Sequence, residues 1–237
     1  MKQTGEYQLN ILTIDTSTEL ELISLMHNNT FHEIDGMISK SHGSTLFQSI
    51  DVLLKKEECS IHDIDLIGVG IGPGSFTGIR IAVTTARMMA QLLEVPLVGF
   101  KTQELFAQSA INLNGDFILV AFDAKKNRVF GALYQKEDNN ITEIIPPGDY
   151  NIETLGEMTN GSTIALGDGI SRYSERLQKV CTYNFIEDFK PDGFKAIELT
   201  ERLYKKNPED SMDINNTVPF YSRKSDAEVA LNLKKLG

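Results

Sequence analysis

Five glycines, Gly68, Gly70, Gly72, Gly74 and Gly78, fall within the eleven residues GVGIGPGSFTG, and a helical rhythm follows in IRIAVTTARMMA. A glycine-rich turn that opens a helix leaves backbone N–H groups free to hold a phosphate. Three versions of that chemistry fail on the residues themselves. A Walker loop requires a lysine for the terminal phosphates, and no lysine lies between Lys56 and Lys101. A dinucleotide fingerprint counted from Gly72 meets Gly74 but then Thr77 in the third glycine place, and the loop follows the fourth predicted strand rather than the first. A nucleophile elbow does not register, because Ser75 directly follows Gly74. Ser75 with His42 or His62 and an aspartate leaves a hydrolase as a third reading of the chain.

What remains is a tight turn whose helix is capped by Ser75 or Thr77. Arg80 stands in the first helical turn, where a cation opposes the macrodipole. Either it pairs with a carboxylate such as Asp65 or Asp15, or it joins the loop amides in holding an anion. Asp15 and Asp123 each close an apolar run. Asp15, Ser75, Thr77, Arg80 and Asp123 are therefore the candidate residues of a nucleotide or anion site, vestigial or active. Metal chemistry has no sequence signature here: His27, His32, His42 and His62 show neither HxxxH nor HExxH spacing, and Cys59 and Cys181 are isolated.

These residues must be positioned by an α/β framework. ILTID and LELISLM read as two strands, FHEIDGMIS as a third, and STLFQSIDVLLKKEEC as an amphipathic helix. IDLIGVGIG is a buried strand, FTGIRIAVTTARMMAQLLEV a long helix, and PLVGF a short strand. FILVAFDAKKNRVFGALYQ repeats the opening pattern with Asp123 on Asp15, and STIALGDGISRYSERLQKV repeats the strand–glycine–helix step. Two related α/β domains follow, the second smaller, with bounds 1–112 and 113–215 and an extension 216–237, partly disordered. EIIPPGDYNIETLGEMTNG reads as surface connection.

The long helix carries two apolar stripes. Ile79, Val83, Ala86, Ala90 and Leu93 make one, and Ile81, Thr85, Met88 and Leu92 the other. Covering one sheet face needs a single stripe, so the second calls for a neighbouring helix or a protein partner. The chain has 23 basic against 33 acidic residues, a net charge of −10. Direct, strong nucleic-acid binding wants a basic face, and the lysines here come only in short pairs. No run is long and apolar enough to span a membrane, and the isolated cysteines fit a reduced compartment. The expectation is a soluble, cytoplasmic protein.

ILTIDTSTE, the pair Ser41-His42, IGVGIGPGSFTGIRIAVTTAR continuing to VPLVGFKTQELFA, ILVAFDAKKNRVFGALY, LGDG and PFYSRK occur in this order. Together they resemble the family of bacterial tRNA threonylcarbamoyladenosine biosynthesis proteins called TsaB or YeaZ, with the likeness fullest over residues 9 to 135. The resemblance implies two ribonuclease-H-like domains of the actin-like ATPase and sugar-kinase architecture, the second degenerate. It implies a non-catalytic subunit that supports a paralogue, TsaD, which transfers the threonylcarbamoyl group from threonylcarbamoyl-AMP to the adenosine beside the anticodon. An ATPase, TsaE, completes the system; tRNA contact would be indirect, and ATP or ADP would enter at the level of the complex, with no intrinsic cofactor. The paralogue's two metal-binding histidines would fall on Thr102 and Phe106, neither of which offers an imidazole. The family's dimerisation helices correspond to about 45–59 and 76–93. The expected partner contacts, for a homodimer or for TsaD, are then Leu46, Ile50, Leu54, Ile81, Thr85, Met88, Met89 and Leu92. The alternative from the residues alone is an autonomous ATPase or small-molecule kinase built on Asp15, Asp123 and the glycine loop.

Overall fold

The computed structural model describes residues 9–38, 42–138 and 140–223. They form two compact units, each gathered from separate stretches of chain. The first takes the residues up to Ile71, then Gly78–Phe100 and Asp192–Val218; the second takes Gly72–Thr77, Lys101–Pro191 and the chain from Pro219.

The first unit opens with strands β1 (Ile11–Asp15), β2 (Leu20–His27) and β3 (Thr30–Ile38), then helix α1 (His42–Lys56). A single 3-10 turn at Ile61–Asp63 leads into β4 (Leu66–Gly70), followed by α2 (Phe76–Leu93) and β5 (Leu97–Phe100). The sheet order is β3-β2-β1-β4-β5, antiparallel from β3 to β1 and parallel from β1 to β5. That is the order of a ribonuclease-H-like domain. Side chains alternate across the pleat. Leu12, Ile14, Ile23, Leu25, Ile67 and Val69 share one core with Leu46, Ile50 and Leu53 of α1 and Ile79, Val83, Ala86 and Ala90 of α2. Full burial of each larger side chain contributes about 1.5–3 kcal/mol. A buried carboxylate fixes α1 on this face: Glu21 accepts hydrogen bonds from Thr45 Oγ1 (2.8 Å) and Ser49 Oγ (2.6 Å).

The second unit repeats the plan. Helix α3 (Thr102–Ser109) precedes β6 (Phe117–Asp123), β7 (Val129–Glu137) and β8 (Asn140–Tyr150). There follow α4 (Ile152–Glu157), β9 (Thr163–Leu166), α5 (Asp168–Arg172), α6 (Ser174–Leu177) and β10 (Tyr183–Phe185). The order β8-β7-β6-β9-β10 is the first sheet's order over again, with β6 antiparallel to β7 and parallel to β9. Ile152, Leu155, Ile170, Tyr173 and Leu177 cover one face. On α3, Phe106 meets Phe122 of β6 edge to face, with ring centroids 4.9 Å apart.

Three expectations are corrected. The stretch around Pro146 and Pro147, read as a surface connection, is strand β8 followed by α4. Proline is tolerated at a sheet edge, and β8 is an edge strand whose register against β7 shifts between Gly131 and Leu133. The domain bounds also differ: α3 belongs to the second unit, and α7 (Gly193–Lys206) to the first. Helix α7 covers the other face of the first sheet, where Ile197 packs with Ile11, Met26, Leu66 and Val98. Its approach leaves no room for a side chain at Gly68, which lies against Thr200. A short helix α8 (Pro208–Met212) follows. Part of the expected loose extension is packed, since Thr217 Oγ1 donates to Leu97 O (3.3 Å) and Tyr221 stacks on Phe76 at 4.3 Å. Residues 224–237 lie outside the described residues.

Candidate functional site

Asp15 demands a glycine at position 70, the last residue of β4: a Cβ there would sit inside the Asp15 carboxylate. Asp15 is buried at the end of β1, and its Oδ1 accepts the Ser17 N–H at 2.7 Å. Beyond Gly70 the loop is pinned along its length. Ile71 N–H donates to Phe100 O (2.9 Å), and Thr102 N–H donates to Gly72 O (3.1 Å). Gly72 has φ +91° and precedes a cis peptide to Pro73. Gln103, fully buried, donates from Nε2 to Pro73 O (3.1 Å) and to Phe130 O (3.3 Å). Thr16 Oγ1 donates to Gly78 O (2.7 Å) in the first turn of α2. Gly72, Pro73 and Gly74 are buried, whereas Ser75, Thr77 and Arg80 are exposed. The loop is thus a braced turn that aims α2.

Asp123 occupies the matching place in the second unit. Asp15 lies opposite Leu22 and Asp123 opposite Val129 in the two antiparallel ladders. Each carboxylate closes its turn by the same bond, to the N–H two residues on; Lys125 N–H donates to Asp123 Oδ1 at 2.8 Å. Asp123 is further engaged by Lys125 Nζ (2.7 Å), Tyr173 OH (3.0 Å) and Arg172 Nε (3.2 Å). Burial pushes its carboxyl pKa up, but the Lys125 ammonium and N–H and the Tyr173 hydroxyl together outweigh it and hold the group below the usual carboxylate range. The five candidate residues are therefore not gathered by one unit. Asp15 and Arg80 belong to the first, and Ser75, Thr77 and Asp123 to the second. The places where the resemblance puts the paralogue's metal-binding imidazoles hold Thr102 and Phe106, both buried. Neither fits a metal.

The helix surfaces are more informative. Of the eight expected partner contacts, Leu46, Ile50 and Leu54 are core residues beneath α1, and Thr85 and Met89 are buried on α2. A single amphipathic face cannot both fill the core and greet a partner, so these five support the helices from below. Ile81 is half-buried against the core. Met88 and Leu92 stand out, 45 % and 76 % exposed on the edge of α2 away from the sheet. The sequence reading missed Phe47 and Val52 of α1, each 51 % exposed. They fall off the stripe that Leu46, Ile50 and Leu53 define, and that displacement was their one available signal.

A family model described as TsaD, tRNA N6-adenosine threonylcarbamoyltransferase, matches residues 27–231. The tRNA threonylcarbamoyladenosine biosynthesis protein TsaB of Escherichia coli K12 is 30 % identical over 167 residues, spanning 68 % of this chain and 72 % of that protein. Its namesake in Bacillus subtilis 168 is 27 % identical over 225 residues, spanning 93 % and 96 %. In fold, the chain is similar to an uncharacterised Pseudomonas aeruginosa protein described as having similarity to peptidase YEAZ. The TM-score is 0.79 at 21 % identity, covering 91 % of this chain and 100 % of that one. The braced glycine loop, the paired turn-closing aspartates and these matches agree, and the chain belongs to the TsaB (YeaZ) family of tRNA threonylcarbamoyladenosine biosynthesis proteins.

Proposed function

We propose that this chain takes part in threonylcarbamoyladenosine modification of tRNA as a non-catalytic subunit that binds and supports the transferase TsaD. TsaE acts in the same assembly. The observation that carries the reading is the exposed apolar edge of α2, Met88 and Leu92. Large apolar side chains left in water forfeit about 1.5–3 kcal/mol each, and an exposed edge of this kind suits a partner contact. The same edge serves a second copy of this chain when TsaD is absent, as a two-fold contact between like helices. Thr102 and Phe106 support the non-catalytic role, because neither side chain can ligate as an imidazole does. The acid-rich composition, net −10, leaves tRNA contact to the partner.

Size-exclusion chromatography with light scattering tests this on the chain alone and mixed with TsaD of its own organism. The wild type is expected to form a heterodimer, and Met88→Asp to remain folded but uncomplexed. A Met88→Asp, Leu92→Asp double variant that still binds TsaD at wild-type affinity would sink the α2 contact. Unchanged tRNA modification when the chain is omitted from the reconstituted reaction would sink the accessory role itself.

A further inference from the structure

At the end of the first sheet where β4 begins, opposite the end from which the glycine loop leaves, three side chains of different chemistry converge. His27 ends β2, Cys59 follows α1, and Asp63 closes the 3-10 turn. One donor atom from each lies within 4.8 Å of both others. His27 and Asp63 border a recess of about 360 Å³ that is also lined by His62 and Asp65, and Cys59 is buried. The cluster is held by a hydrogen-bond frame centred on Asn10, which draws three segments together. Asn10 Nδ2 donates to Asp63 O (2.8 Å), Asn10 N–H to Asp65 Oδ2 (2.8 Å), and Asn28 N–H to Asn10 Oδ1 (3.0 Å). Asn28 Nδ2 lies 3.0 Å from His27 Nε2, a contact that metal binding would replace. Asp63 is itself fixed by a capping box, where its Oδ2 accepts the Ser60 N–H at 2.9 Å.

We propose that His27, Cys59 and Asp63 form a zinc(II) site on the first unit, with His62 on its solvent side. A thiolate, a neutral imidazole and a carboxylate are the donor set of a borderline-soft divalent ion, and they disfavour magnesium and calcium. The charges balance: thiolate and carboxylate together offset the dication. On binding, the Cys59 S–H bond breaks, its proton leaves to solvent, and the sulfur lone pair forms the bond to the metal. Spacing hides this cluster, since His27 precedes Cys59 by a helix and a strand. The ion would tie the β2–β3 turn to the segment that feeds β4, and would thereby brace the first unit.

The test uses the full-length chain stripped of metal and titrated with Zn²⁺ by calorimetry, and with Co²⁺ as an absorbing probe. The expected result is one ion per chain and a thiolate-to-cobalt charge-transfer band that survives Cys181→Ser and vanishes in Cys59→Ser. His27→Gln is expected to weaken zinc binding by more than the about 10–100-fold typical of outer-sphere partners. It should also abolish the rise in Tm that zinc produces in the wild type. His27 sits half-buried at a strand end, so this variant keeps the test decisive if Cys59→Ser fails to fold. Wild-type affinity in His27→Gln, no saturable zinc binding, or a cobalt band that is lost in Cys181→Ser would each overturn the assignment.

Discussion

Asp15 Oδ1 accepts the Ser17 N–H of its own turn, and its carboxylate lies over Gly70. The glycine is thus a steric consequence of the aspartate. Gly70→Ala is expected to destabilise the protein by about 1–3 kcal/mol through overpacking. In Gly70→Ala combined with Asp15→Ala the two costs should fall short of adding; thermal unfolding of the three variants checks this, and strict additivity would separate the residues. Lys101 offers a second residue-scale prediction. Burial lowers its pKa from 10.5 to about 8, against the opposing pull of Glu143 and Glu104. Between those values the unfolded chain holds a proton that the folded one has released, so raising the pH favours the folded state. Stability should rise from about pH 8 towards 10.5 relative to Lys101→Met, which lacks the group. A flat difference between the two pH profiles would contradict the burial of this ammonium. Asp15, Asp123 and the glycines were legible as types and spacings. Gln103 and Glu21 were not, because a buried polar side chain announces itself only by partners that lie far off in sequence.

Helices α1 and α2 were legible as elements, and their surfaces only in part. The core stripe of α2 was read correctly at Ile79, Val83, Ala86 and Ala90, all buried. The second stripe was drawn too wide at Thr85, and the expected partner contacts at Met89, since both lie close enough to the core face to be covered by it. A substitution on each stripe should therefore behave differently. Ala86→Arg places a long cation in a fully buried site and is expected to lose several kcal/mol of fold stability, so its failure to bind a partner would carry no interface information. Met88→Asp is expected to stay within about 0.5 kcal/mol of wild type, as exposed substitutions do. Chemical denaturation of both variants checks the pair; comparable destabilisation would place Met88 in the core. Strand β8 escaped the sequence reading for a different reason. Its two prolines signal a break when read locally, and only its edge position and the register shift against β7 make room for them.

At the scale of the molecule, duplication was visible in the strands and their aspartates, while the partition of helices was not. Each sheet is followed in sequence by a helix that joins the other unit: α3 after β5 goes to the second, α7 after β10 to the first. Chain order gives no hint of such an exchange, so boundaries drawn along the sequence cut through both units. A chain ending at Pro191 should consequently leave Ile11, Met26, Leu66 and Val98 uncovered. It is expected to bind a hydrophobic dye and to lose cooperative unfolding of the first unit; an intact sharp transition would show that α7 is dispensable. The exchange also has a consequence during synthesis. The first sheet is complete when Phe100 is made, but its covering helix begins at Gly193, about 90 residues later. At about 5–20 residues per second the ribosome needs roughly 5–20 s to supply it. Through that interval the nascent chain carries an apolar sheet face with no cover of its own, and the amino-terminal unit, though first to be translated, cannot close its core until the whole second sheet has been made.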